Sequence, residues 1–191
     1  MMASPADAVA RVLEVLDRLE IPYLAGGSVA SSVHGISRPT LDLDIVADLR
    51  ADQVEEFAAL LQPDFYADPA MIREALDRKR SFNVIHYRTS FKVDVFPLRD
   101  DDYSRLSFAR RRFEKCLSFG PELLECAVAT AEDTILRKLE WYRAEGETSE
   151  RQWNDLRGVL KVSGPRLDLT YLRQWAPYLK VEDLLERLLA E

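Results

Sequence analysis

The run Leu24-Ala25-Gly26-Gly27-Ser28-Val29-Ala30, followed by Leu41-Asp42-Leu43-Asp44-Ile45-Val46, decides the reading of this chain. Ile21 to Ala25 is a short apolar segment that Gly26-Gly27-Ser28 ends, and Val29 to His34 then resume a helical pattern up to Gly35. That order predicts strand, tight glycine turn and helix N-terminus. Residues 41–46 alternate apolar and acidic side chains, the period of a strand with one face on a core, so Asp42 and Asp44 share the other face.

Working outward, Ala6, Val9, Val12, Leu13, Leu16 and Leu19 recur at helical spacing and predict an amphipathic helix before the first strand. A helix over 51–61 and a shorter one over 69–80 follow the acidic strand. Phe82 to Tyr87 and Phe91 to Phe96 are β-rich runs separated by three residues, which predicts a hairpin. In its second strand Lys92, Asp94 and Phe96 share one face. Beyond Asp100-Asp101-Asp102 the pattern is mainly helical, with an edge strand expected around 113–119 and a capping box, Thr130 with Asp133, opening a helix. Helices over 169–175 and 181–189 close the chain. The expected class is α/β (α+β): a small mixed-sheet core over 1–100 with flanking helices, and a mainly helical region over 101–191 that completes a cleft.

Composition narrows the function. The chain has 191 residues, 47% hydrophobic and 31% charged, with a formal charge of −7, so it is an ordinary globular protein that repels polyphosphate overall. General nucleic-acid coating is excluded on that ground, and any such contact must use the two dense basic runs, Arg78-Lys79-Arg80 and Arg110-Arg111-Arg112. Charges interrupt the first nineteen residues, so neither a signal segment nor a membrane span is expected. Cys116 and Cys126 read as free thiols in a reducing, cytoplasmic setting, with a single bridge between them as the alternative.

Two carboxylates at a spacing of two suit a hard divalent cation. Asp94, on another strand between Val93 and Val95, adds a third acid, and three acids over one sheet can hold two metal ions roughly 3.5 to 4 Å apart. Gly26-Gly27-Ser28 lets backbone N–H groups at a helix start approach phosphate oxygens. Together these features point to phosphoryl or nucleotidyl transfer. His34 and His86 have no partner at metal-ligand spacing and receive no role. Trp141, Trp153 and Trp175 fit helical core spacing better than stacking platforms.

The set Gly26-Gly27-Ser28, Asp42-Leu43-Asp44 and Lys92-Val93-Asp94, in that order, resembles the minimal nucleotidyltransferases of the DNA polymerase beta superfamily. Within it the chain is most similar to the AbiEii-like and MenT-like toxin group, through Arg38-Pro39-Thr40-Leu41-Asp42-Leu43-Asp44, Asp133-Thr134-Ile135-Leu136-Arg137-Lys138-Leu139 and Asp155. Trp153-Asn154 precede that last Asp, where the group has Arg or Lys directly before it. The resemblance implies an enzyme in which Asp42, Asp44 and Asp94 hold two Mg²⁺ ions, with Mn²⁺ as a substitute. Gly26, Gly27, Ser28, Arg38 and Thr40 would bind the nucleoside triphosphate, and Lys138 and Asp155 would join the catalytic set. It implies tRNA as acceptor and an antitoxin as partner. Independently, Lys138 and Asp155 lie nearly equally far from Gly146, so two antiparallel helices turning there would bring them level. The rivals are nucleotidylation of an antibiotic-type small molecule or of a protein, a nucleotide- or partner-binding module without turnover, and, more weakly, a sugar-nucleotide transferase using the DxD pair.

Overall fold

Ser4 starts the first helix by local chemistry. Its hydroxyl accepts the Asp7 N–H at 3.2 Å while the Asp7 carboxylate accepts the Ser4 N–H at 2.7 Å, closing a capping box ahead of α1 (Pro5–Arg18). The computed structural model describes residues 4–38, 40, 42–118 and 123–191. Pro39 and Leu41 of the acidic run, and the end of the expected edge strand at 119, lie outside the described residues.

The chain continues through β1 (Tyr23–Ala25), α2 (Gly27–His34), β2 (Asp42–Ala47), a 3-10 turn (Ala51–Gln53), α3 (Val54–Leu61), β3 (Phe65–Tyr66) and α4 (Pro69–Asp77). Next come β4 (Phe82–His86), β5 (Lys92–Pro97), α5 (Asp102–Ala109), β6 (Arg112–Ser118) and β7 (Leu123–Val128). The helices α6 (Ala131–Ala144), α7 (Glu150–Ser163), α8 (Leu169–Trp175) and α9 (Glu182–Leu189) complete it. Seven strands form one mixed sheet in the order β3-β4-β5-β2-β1-β7-β6. The mixed α/β architecture expected from the sequence is therefore present.

Register places the chemistry. β2 runs parallel to β5 with Asp42 opposite Lys92, Asp44 opposite Asp94 and Val46 opposite Phe96. On the other face, Leu43, Ile45, Val93 and Val95 enter a core with Val9, Val12 and Leu16 of α1 and Phe57 and Leu61 of α3. Burial of these residues is the main drive for the sheet half, at roughly 1.5–3 kcal/mol for each large side chain. A second cluster, built on Tyr103, Ile135, Leu139, Trp153, Leu156, Leu172 and Leu185, holds the C-terminal helices together.

Three features differ from the sequence reading. The sheet continues past residue 100, because β7 pairs in parallel with β1 (Ala25 opposite Val128) and carries β6 as the edge strand. β3 and β7 were not expected: β3 is two residues long, and Leu123 to Val128 has no alternation to mark it. Cys116 and Cys126 are bonded to each other across the β6–β7 hairpin, with Cα atoms 6.0 Å apart, which corrects the reading as free thiols. The register sets Cys126 opposite Glu114 and leaves Cys116 at the irregularity between Lys115 and Leu117, diagonally across from it, and spacing along the chain carried no such information. Among the described residues no helix is long and apolar enough to cross a membrane.

Two glycines dock α2 on α7. A Cβ on Gly35 would lie 2.7 Å from backbone atoms of Gly158 and Val159, and one on Gly158 would lie 3.3 Å from the Ile36 nitrogen. The end of α2 thus meets α7 backbone to backbone, and the Ser163 hydroxyl donates to the His34 carbonyl at 2.7 Å. Arg151 and Gln152 near the start of α7 line the same cleft as Gly26 and Gly27.

Candidate active site

The turn between β1 and α2 is built around Asp44. The Gly26 N–H donates to the Asp44 carbonyl at 2.9 Å. Gly27 opens α2 at φ +52°, and a Cβ there would sit 1.8 Å from Asp44 Oδ2. Both the backbone conformation and the space exclude any side chain. Gly26 occupies the N-cap without a capping side chain, so the first-turn amides are left to the cleft that Gly26, Gly27 and Ser28 line. Thr40 donates its hydroxyl to Asp42 Oδ1 at 2.9 Å, and the Ser28 hydroxyl, 2.8 Å from Thr40 Oγ1, is then the donor to it. Thr40 therefore holds an acid and the turn together.

Asp42, Asp44 and Asp94 lie on one sheet face, the last two directly opposite each other. Burial, then the neighbouring charges of Asp42 and Asp94, push the Asp44 carboxyl up to about 6 against the pull of Lys138 and Lys92. Lys92 was not singled out from the sequence, yet its Nζ lies 2.6 Å from Asp94 Oδ2. Its position two residues before Asp94 on a strand was the available signal, since such residues share a face. As to a metal, the residue types fit: Asp42, Asp44 and Asp94 are hard oxygen donors on one sheet face. As the side chains stand, no three acidic, His or Cys residues among those described are gathered as a ligand group. Asp94 is turned to Lys92, a cation already in place.

Arg38, Lys138 and Asp155 come together from the loop after α2, α6 and α7. Arg38 donates to both Asp155 oxygens at 2.9 and 3.0 Å, and Lys138 Nζ donates to Asp155 Oδ2 at 2.9 Å and to Gln152 Oε1 at 2.9 Å. Burial works against the Asp155 charge, but the hydrogen bonds from Arg38 and Lys138 outweigh it and hold its carboxyl below the usual range. Burial is the larger influence on Lys138, whose pKa falls below the ordinary value despite that partner. Trp153, two residues before Asp155, is taken up by the helical core, where it packs on Tyr142 at 5.1 Å.

Asp133, in the same motif as Lys138, is buried and does not reach the acids. Its carboxylate accepts from Tyr171 Oη at 2.7 Å, Thr130 Oγ1 at 2.8 Å, Tyr103 Oη at 3.1 Å and Arg110 Nε at 3.2 Å. Two of the three residues of the second basic run are engaged: Arg110 also lies 3.9 Å over the Tyr171 ring, and Arg111 stacks on Phe108 at 4.5 Å. Arg78 of the first run pairs with Glu74 at 3.0 Å. His34 contacts the Ala129 carbonyl at 2.6 Å and His86 the Thr89 hydroxyl at 2.7 Å, both structural contacts. Trp141 departs from its core reading: it is 44% exposed and lines the cleft with Phe96.

These groups surround one cleft of about 330 Å³ between the acidic sheet face and α6, lined by the glycine turn, Asp42, Asp44, Arg38, Lys138 and Gln152. Solved structures of similar shape are known. The chain aligns with the antibiotic-resistance factor ANT(2'')-Ia at a TM-score of 0.55 and 15% identity, covering 98% of this chain and 97% of that one. The fold is a nucleotidyltransferase fold. ANT(2'')-Ia in complex with adenylyl-2''-tobramycin aligns at 0.52 and 12% identity, over 91% and 95% of the two chains. An antigenic nucleotidyltransferase-like protein from Paracoccidioides brasiliensis aligns at 0.54 and 13% identity, over 91% and 92%. No family model and no curated protein matches the sequence.

Proposed function

We propose that this chain is a metal-dependent nucleotidyltransferase that moves a nucleoside monophosphate from a nucleoside triphosphate to an acceptor hydroxyl. The observation that carries the reading is the opposition of Asp44 and Asp94 on one sheet face, with Gly27 pressed against Asp44. Asp42, Asp44 and Asp94 would hold Mg²⁺, or Mn²⁺ in its place, and that ion would supply Lewis-acid activation of the α-phosphate and of the acceptor hydroxyl. The turn amides of Gly27 and Ser28 would receive phosphate oxygens. Arg38 and Lys138 are both held on Asp155 at the cleft wall and would meet the triphosphate with positive charge. Asp155 acts as a positioning residue that orients both cations. Residues 1–100 supply the acids and the glycine turn, and 101–191 supply Lys138 and Asp155.

A small hydroxylated acceptor is favoured. Arg110, Arg111 and Arg78 have partners within the fold, and the alignment with the tobramycin-adduct complex spans nearly all of both chains. The second reading is tRNA in a toxin–antitoxin setting, with an antitoxin as partner and the cytoplasm as location. It is supported by Arg38, Lys138 and Asp155, the residues of the toxin-group motifs, meeting in one cluster. The test incubates the protein with Mg²⁺ and each α-labelled nucleoside triphosphate, with total tRNA in one arm and an aminoglycoside panel in another. Label transfer that the Asp42→Asn, Asp44→Asn double variant abolishes establishes the reaction, and the labelled product names the acceptor. Absence of triphosphate binding by the unsubstituted protein would sink the reading.

A further inference from the structure

The acidic face of the sheet ends in an apolar step. Moving along β2 and β5, the opposed pairs on that face are Asp42 with Lys92, Asp44 with Asp94, and then Val46 with Phe96. The last pair lies two residues beyond the acids, roughly 7 Å along the strands. Across the cleft, Trp141 follows Lys138 by three residues on α6, so it lies on the same side of the helix, about 4.5 Å further along the axis. Phe96 and Trp141 meet edge to face with ring centroids 5.9 Å apart. Both line the cleft, and Trp141 keeps 44% of its surface exposed in spite of its size.

The cleft is therefore polarised. One end carries the turn amides, Arg38 and Lys138; the other carries two aromatic rings beside Val46, with the Arg99–Glu140 and Arg137–Glu140 ion pairs on the same wall. A nucleotide has the same polarity, charged at its phosphates and planar and aromatic at its base, with one ribose between. An aminoglycoside-type acceptor has no planar ring to stack.

We propose that Phe96 and Trp141 are the stacking platform for the nucleobase of the incoming nucleoside triphosphate. The inference rests on the nucleotidyl-transfer reading and assigns it a base subsite. Stacking recognises the π-face shared by all bases, and its loss by truncation weakens binding by roughly tenfold or more.

The test measures calorimetric binding of Mg-ATP and of Mg-tripolyphosphate, which has the charge without the base, to the full chain and to Trp141→Ala and Trp141→Phe. The expected result is that Trp141→Ala binds ATP at least about tenfold more weakly while tripolyphosphate affinity stays within about twofold, and that Trp141→Phe recovers most of the ATP affinity. Retained tripolyphosphate binding also shows that the variant is folded. Unchanged ATP affinity in Trp141→Ala overturns the platform and leaves nucleotidyl transfer standing, as does an equal loss for both ligands. If the unsubstituted chain binds neither ligand, both proposals fall.

Discussion

Gly27 and Asp44 leave no room between them: a Cβ on Gly27 would lie 1.8 Å from Asp44 Oδ2, at a backbone φ of +52°. The contact packs the glycine turn directly on the acidic strand. Gly27→Ala is expected to incur about 1 kcal/mol or more for the left-handed backbone, plus displacement of Asp44. At this size each kcal/mol corresponds to roughly 2–4 °C. Differential scanning calorimetry should show a lower Tm, and Mg-ATP binding should fall more than stability does.

The raised pKa of Asp44 makes stability depend on pH. A carboxyl that titrates at about 6 in the folded chain, against its ordinary 3.8, binds its proton more tightly when folded. Its contribution is fully present below about pH 4 and is lost as pH rises toward 6. Asp44→Asn, which cannot ionise, should therefore be more stable than the parent above pH 6, by up to about 3 kcal/mol, and indistinguishable from it near pH 3.5. Urea titrations without divalent metal at the two pH values check this. Adding Mn²⁺ at pH 7.5 should raise the Tm of the parent and leave Asp44→Asn unmoved.

Asp155 and Lys138 should separate stability from binding. Asp155→Ala leaves two cations, one of them deeply buried, without their shared carboxylate, which is expected to destabilise the fold by roughly 3–5 kcal/mol. Lys138→Met keeps the Arg38–Asp155 bidentate pair and fills similar volume, so its stability change should stay below about 1.5 kcal/mol while triphosphate affinity drops. Chemical denaturation and calorimetry on both variants distinguish the roles. Equal stability loss in the two would refute the assignment of Asp155 as the positioning member.

Asp133 is expected to matter for folding rather than turnover. Four side chains donate to it from the cap of its own helix, α5, α8 and the residue after α5. Asp133→Ala leaves these donors without an acceptor and should lower stability by about 3 kcal/mol or more. A thermal scan showing less than about 1 kcal/mol of loss would contradict the network.

The Cys116–Cys126 bond closes a short hairpin, with a sequence separation of 10. Chain-entropy arguments give such a loop up to about 3 kcal/mol. Thiol titration of the unfolded, unreduced protein should find no free thiol, and reduction or Cys116→Ser should lower the Tm by several degrees. Two free thiols in that titration would return the pair to the reading drawn from the sequence.

Residues 21 to 46 were legible because their signals are local. Period-two alternation placed Asp42 and Asp44 on one face, and the glycine pair marked the turn before α2. The meeting of Lys138 with Asp155 could also be anticipated, since two helices turning at Gly146 have little freedom in which residues stand level. Lys92 and Trp141 were harder. The strand pattern showed that Lys92 shares a face with Asp94 but not that its ammonium would take the carboxylate, and helical spacing could not tell a cleft wall from a core. β7 was missed because Leu123 to Val128 has no alternating polarity: it is sandwiched between β1 and β6 inside the sheet.

By itself the sequence determined which residues could do chemistry, and in what local setting: amides at a glycine turn, two acids on one strand face, a third on another. Periodicity and backbone stereochemistry are local and need no partner. Only the tertiary structure decided which distant groups meet. Arg38 reaches Asp155 across 117 positions, Asp44 faces Asp94 through a parallel pairing, and the cysteines bond across the β6–β7 hairpin. Those choices follow from packing two hydrophobic clusters around one sheet, and such packing is a property of the whole chain and of no segment within it.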